Sequence, residues 1–213
     1  MQPTQSAMHR RVIDYYSRAL VTHGACPRGV DWSSRESQEL RFGVLLEGVR
    51  WTPVPSLLDY GCGYGALGAY LDRLERTCRY VGYDLAPTML VEARRANRGR
   101  SDRAFIGSEA ELVPADYVIA SGVFNVKLDV PAGEWEAHLD RTLARLGSLS
   151  RRMLSFNLLP PASSPRLARR HLYYADPGAV VALCKERLGG RVSLRQGYGL
   201  HEFTVAVTWQ DRA

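Results

Sequence analysis

Ser56-Leu57-Leu58-Asp59-Tyr60-Gly61-Cys62-Gly63-Tyr64-Gly65-Ala66-Leu67-Gly68-Ala69-Tyr70 is the stretch whose reading decides the fold. Residues 56–60 form a short run with few charges behind Pro53 and Pro55. That is the pattern of a strand buried on both faces. Glycines follow at 61, 63 and 65, and residues 66–73 then have helical character. Strand, glycine turn and helix in that order are the layout of a nucleotide site in a doubly wound sheet. Glycine reaches positive φ and carries no Cβ, so a ligand can lie against bare backbone. The helix start that follows offers free N–H groups to an acceptor-rich ligand.

Two patterns overlap in the turn. Gly63-Tyr64-Gly65-Ala66-Leu67-Gly68 fits the dinucleotide form G-x-G-x-x-G, and Asp59 with Gly61-Cys62-Gly63-Tyr64-Gly65 fits D-x-G-x-G-x-G. The second resembles motif I of the class I S-adenosylmethionine (SAM) methyltransferases. The aspartate favours it, because a carboxylate at the mouth of the first strand repels a pyrophosphate and suits a ligand with an α-ammonium and a sulfonium. The resemblance covers the chain from about residue 56 to the end. It implies a Rossmann-like, doubly wound sheet of seven strands, mostly parallel with an antiparallel final hairpin strand and helices on both faces. It also implies SAM as cofactor, S-adenosylhomocysteine (SAH) as product, and cofactor contacts from Asp59, Gly61, Cys62 and Gly63.

Further strands follow at the expected intervals. Residues 79–84 read as a second strand ending in Asp84, nineteen residues after Gly65, where an acid can accept both ribose hydroxyls. Pro87 opens the next helix, and Leu85 and Met89 can pack on an adenine. Residues 103–107 are a short third strand; the resemblance puts adenine contacts at Ser108 and Glu109 just after it. Residues 115–121 are a fourth strand running into Ser121 and Gly122, where methyltransferases place the methyl group and its acceptor. A helix over 134–146, a fifth strand over 152–156 and a polar loop over 157–175 come next. Asp176-Pro177 caps a helix to Leu188, and two strands joined by a tight turn at Gly197-Tyr198-Gly199 close the chain.

The N-terminal residues 1–50 hold two helical patterns, residues 8–20 and one after an N-cap at Ser33 or Ser34. The resemblance makes this segment a helical lid on a single methyltransferase domain over 51–213. It also implies that Trp32, Gln38 or Arg41 touches cofactor or substrate, with Arg41 pairing the methionine carboxylate. Phe124, Tyr173 and Tyr174, with Trp32, are candidate walls for a ring-bearing acceptor, and Asn125 and Asn157 are candidate hydrogen-bonding groups. If a general base is used, His201 is the first candidate and His171 the second. Each histidine has the alternative of a structural hydrogen bond.

At 213 residues the chain is one domain by size, with 46% hydrophobic and 23% charged residues. No apolar run is long enough to span a membrane. The start lacks a signal sequence, so the expectation is a cytoplasmic protein. Cys26, Cys62, Cys78 and Cys184 form no C-x-x-C pair, which argues against disulfides and against a metal site. The net charge of +6 rests almost wholly on arginines spread along the chain, which disfavours a nucleic-acid partner. The expected partner is therefore a small-molecule acceptor methylated at oxygen or nitrogen. The alternatives are an RNA or protein methyltransferase, a SAM-binding protein without turnover, and a nicotinamide oxidoreductase.

Overall fold

The computed structural model describes residues 5–162, 166 and 168–210. Seven strands form one sheet: β1 Ser56–Tyr60, β2 Arg79–Tyr83, β3 Arg103–Ile106, β4 Ala115–Ala120, β5 Ser150–Leu158, β6 Arg191–Arg195 and β7 Phe203–Thr208. Their order is β3-β2-β1-β4-β5-β7-β6. The first five pair in parallel, and β7 runs antiparallel between β5 and β6. The helices are α1 Gln5–His23, α2 Arg35–Leu45, α3 Ala66–Arg73, α4 Pro87–Ala96, α5 Ala132–Ser148 and α6 Pro177–Leu188. This is the seven-stranded, mostly parallel doubly wound fold that the sequence implies.

The period of two along each strand sorts the core into two layers. Leu58, Tyr60, Val118, Ala120, Leu154 and Phe156 point to one face, where α5 and α6 bring Trp135, Leu139, Leu143 and Cys184. Leu57, Tyr117, Ile119 and Met153 point to the other, against Phe42 and Leu45 of α2 and Leu67 and Leu71 of α3. The N-terminal segment is thus continuous with the core, through α2. Ser34 caps α2: its hydroxyl accepts from Ser37 N–H, and the Ser37 hydroxyl accepts from Ser34 N–H. Asp176 caps α6 by accepting from Ala179 N–H at 2.8 Å.

Two boundaries differ from the sequence reading. β5 runs from 150 to 158 because both its edges are paired, by β4 and by β7. The final hairpin is joined by residues 196–202 rather than by a tight glycine turn, so His201 and Glu202 belong to the connection. Along β7, Phe203, Thr204 and Val205 are buried in succession, since an interior strand is covered on both faces.

Candidate active site

The carboxyl ends of β1, β2 and β4 open into a cleft of about 830 Å³, part of it continuous with solvent. Ligands of open α/β sheets bind at this edge. Its floor is the glycine turn Gly61-Cys62-Gly63 together with Ser121-Gly122-Val123. One wall carries Tyr83, Asp84, Leu85 and Met89. The roof comes from the N-terminal segment: Val12 and Tyr16 of α1, then Val30, Trp32, Gln38 and Phe42.

The turn is glycine for steric reasons. At Gly61, φ is +80° and a Cβ would stand 2.6 Å from Val123 Cγ2. Its N–H and that of Cys62 both donate to Tyr83 O, at 2.7 and 2.9 Å, which locks the end of β1 onto the end of β2. Asp84 then reaches back: its carboxylate accepts from Gly63 N–H and Ala86 N–H, each at 2.8 Å. An ionised carboxylate has about four acceptor positions, so each oxygen keeps capacity for a ligand. Burial raises the Asp84 pKa against the pull of those two N–H groups.

Asp59 lies deeper, only 2% exposed, and accepts from the Tyr80 hydroxyl at 2.5 Å. Burial pushes its pKa up to about 7; the Tyr80 bond opposes the rise and the nearby Asp84 adds to it. Both carboxyl groups are thus held against their preference to ionise, at the edge of the sheet where a cation or hydroxyl donors can reach them.

The end of the cleft beyond β4 is built on Gly122, at φ +74°, where a Cβ would lie 2.5 Å from Trp32 Cζ2. Gly122 N–H donates to Asn157 Oδ1 at 2.7 Å, and Asn157 Nδ2 donates to Glu202 Oε2 at 3.1 Å. Glu202 also accepts from Arg41 Nε, at 2.7 and 2.8 Å to its two oxygens, and from the Tyr198 hydroxyl at 3.0 Å. The Arg41 guanidinium stacks on the Trp32 ring at 3.6 Å from its centroid. A Gly122→Ala substitution is therefore expected to displace Trp32 and lower the thermal midpoint by about 4–8 °C, since the left-handed backbone and the clash each cost on the order of 1 kcal/mol. Thermal unfolding followed by tryptophan emission checks this; an unchanged midpoint and spectrum would refute it.

Several sequence candidates thus meet in the cleft: Trp32, Gln38, Asp59, Gly61, Cys62, Gly63, Asp84, Leu85, Met89, Ser121 and Gly122 all line it. Others fall elsewhere. Arg41 is buried in its bidentate pair with Glu202, so it is not free for a ligand carboxylate. Phe124 is fully buried and packs edge-on against Phe156 in the core. Asn157 is fully buried and spent on Gly122 and Glu202. Tyr173 is buried, and Tyr174 accepts from Arg169 N–H at 3.0 Å. Ser108 and Glu109 lie outside the cleft lining; Glu109 instead accepts from the Tyr60 hydroxyl at 3.2 Å. His201 is exposed in the β6–β7 connection, and the half-buried His171 donates no ring to the lining. The sequence reading missed Val12, Tyr16, Val30, Phe42, Tyr60, Tyr64, Ala66, Tyr83 and Val123. Of these, Val12 and Tyr16 carry a legible signal, being one helical turn apart on an apolar face.

No described helix is long and apolar enough to cross a membrane. Among the described residues no group of three or more His, Cys, Asp or Glu side chains is placed to hold a metal ion.

Comparison with known proteins agrees with this geometry. A family model described as a methyltransferase domain matches residues 58–149. The protein named "Putative methyltransferase Rv1506c" of Mycobacterium tuberculosis is 45% identical over 152 residues, covering 71% of this chain and 92% of the relative. Among solved structures, magnesium protoporphyrin IX methyltransferase from Synechocystis PCC 6803 with bound SAH aligns over 95% of this chain and 99% of its own, at 17% identity and a TM-score of 0.63. An O-methyltransferase family protein from Burkholderia thailandensis aligns over 97% of this chain and 63% of its own, at 15% identity and a TM-score of 0.66. At such identities the solved structures speak for the fold, and the 45% relative for the family. The chain belongs to the methyltransferase-domain family and is a SAM-dependent methyltransferase of the class I fold.

Proposed function

We propose that this enzyme transfers the SAM methyl group to an oxygen or nitrogen of a small molecule. The observation that carries the size limit is the roof. Residues from α1 to α2 cover the cofactor cleft, so an acceptor atom must enter beneath them, in space that it shares with the cofactor. In this reading residues 1–50 act as a lid on the domain formed by 51–213. The surface charge gives little support to a nucleic-acid acceptor: Arg35 and Arg73 pair with Glu39, Arg100 and Arg103 with Asp72, and Arg187 with Asp140. The test is incubation with methyl-labelled SAM, a panel of small acceptors, bulk RNA and bulk protein. Label in the small-molecule fraction supports the reading, and label confined to RNA or protein overturns it.

The residues fit the cofactor. Asp84 would hold the ribose hydroxyls, Leu85 and Met89 the adenine, Asp59 the ammonium, and the bare backbone of Gly61 to Gly63 the chain between. SAM supplies an activated methyl on a sulfonium, so the protein's work is to position the two partners and keep water out. The cleft lining contains no histidine among the described residues. The chemistry asked of these side chains is therefore alignment, and the proton that a hydroxyl or amine acceptor gives up on methylation passes to solvent through the open side of the cleft.

The Asp59 assignment has a pH signature. A carboxyl whose folded pKa is raised to about 7 favours the protonated form in the free protein. Its contribution to stability is present below the unfolded value, near 3.9, and is lost as pH rises towards 7. An ammonium ligand needs the ionised form. At pH 6 about one-tenth of Asp59 is ionised and at pH 8 about nine-tenths, so SAH should bind about tenfold more weakly at pH 6. Calorimetry in two buffers of different ionisation enthalpy should also detect proton release at pH 6. A flat affinity between pH 6 and 8 would remove Asp59 from the ammonium site.

A further inference from the structure

Asn125 is 4% exposed, yet neither its side-chain nitrogen nor its side-chain oxygen has a hydrogen-bond partner within the protein. The backbone around it is fully engaged. Asn125 N–H donates to Gly122 O at 3.2 Å, Asn125 O accepts from Tyr173 N–H at 2.8 Å, and Phe124 O accepts from Trp135 Nε1–H at 3.0 Å. The loop is therefore fixed while the amide it carries is idle. A buried amide without partners is costly, and such groups are few in folded proteins. Ser121, which lines the cleft, has a buried hydroxyl that likewise lacks a partner.

Both idle groups flank Gly122: Ser121 lines the cleft, and Asn125 stands just behind the lining. Asn125 Nδ2 lies 3.8 Å from the point where a Gly122 Cβ would stand, on the side of that glycine against which the Trp32 ring rests. Trp32 is the partly buried member of this group, and an acceptor reaches the Asn125 amide only if that ring tilts aside. The charge stacked on the ring, Arg41, is neutralised by Glu202 in a buried pair. An ionised acceptor would lose its hydration here and gain no net opposite charge.

We propose that Asn125 and Ser121 form the acceptor-recognition pair, and that the acceptor presents an uncharged planar group with a hydrogen-bond donor and acceptor side by side, as a carboxamide does. The flat group lies over Gly122 beside the Trp32 ring, with the Asn125 amide matching both of its polar atoms. This rests on the methyltransferase reading of the cleft, whose acceptor end it describes.

The test uses the full chain loaded with SAH, with benzamide as the neutral probe and benzoate and benzylamine as charged probes of the same ring size. Ligand-observed NMR should show benzamide binding, with both charged probes at least about fivefold weaker. Asn125→Leu should abolish benzamide binding, leave the SAH dissociation constant within about twofold, and raise the thermal midpoint of the free protein by about 2–4 °C, because an unpaired buried amide is removed. A structural asparagine would give the opposite sign in that last readout. Asn125→Asp keeps the shape and should switch the preference from benzamide to benzylammonium, which keeps the inference testable if the leucine variant misfolds. Benzamide binding unchanged in Asn125→Leu, charged probes binding as well as benzamide, or no switch in Asn125→Asp overturns the inference alone. Failure of the wild-type chain to take up SAH overturns the reading beneath it as well.

Discussion

Asp84→Ala is expected to weaken SAH binding by on the order of 100-fold or more, while the sheet stays folded. Hydrogen bonds to an ionised group contribute about 1.5–3 kcal/mol each, and a ribose diol makes two of them. The carboxylate also holds Gly63 N–H and Ala86 N–H, each at 2.8 Å, so its loss loosens the glycine turn as well. Asp84→Asn keeps one acceptor oxygen and should fall between the two. Calorimetry with SAH measures both variants. A dissociation constant for Asp84→Ala within about threefold of the parent would remove the ribose assignment.

The second large effect is on stability. Arg41 and Glu202 have side chains 6% and 1% exposed and share a contact of 2.7 Å. Arg41→Ala leaves a carboxylate buried with only neutral partners, Asn157 and Tyr198. Breaking a buried pair from one side costs about 3–5 kcal/mol. For a chain of this size that is a fall in midpoint of about 6–20 °C. Adding Glu202→Gln to Arg41→Ala should recover part of the loss, since the orphaned charge is then gone. A thermal double-mutant cycle reads the coupling. If Arg41 instead met a ligand carboxylate, Arg41→Ala would spare stability and weaken SAH binding, so the two readings separate cleanly.

Arg41 also shows where the sequence reading stopped. Its place beside Gln38 on one face of a capped helix was legible, and Gln38 does line the cleft. Its partner was not, because Glu202 stands 161 residues away and no local pattern links them. Phe124 and Asn157 failed for a related reason. Both follow or end strands at the functional edge of the sheet, but the edge has an inside and an outside. The side-chain direction at β4's exit sends Phe124 into the core, and Asn157 near the end of β5 lies buried against Gly122 and Glu202. His201 was misjudged because the β6–β7 connection is longer than a tight turn, which leaves it in solvent.

By itself the sequence determined the strand–glycine–helix nucleus, the seven strands with their helices, and the positions of Asp59 and Asp84. Those features follow from periodicity, from backbone sterics at glycine, and from the rule that parallel strands present their carboxyl ends to a ligand. Only the tertiary structure decided which aromatic rings roof the cleft, that Trp32 rests on Gly122, and that Arg41, Glu202 and Asn157 form one buried chain of contacts. Contacts between residues far apart in the chain depend on how whole elements pack. That packing is a sum over many weak apolar contacts, none of which leaves a mark at any one position in the sequence.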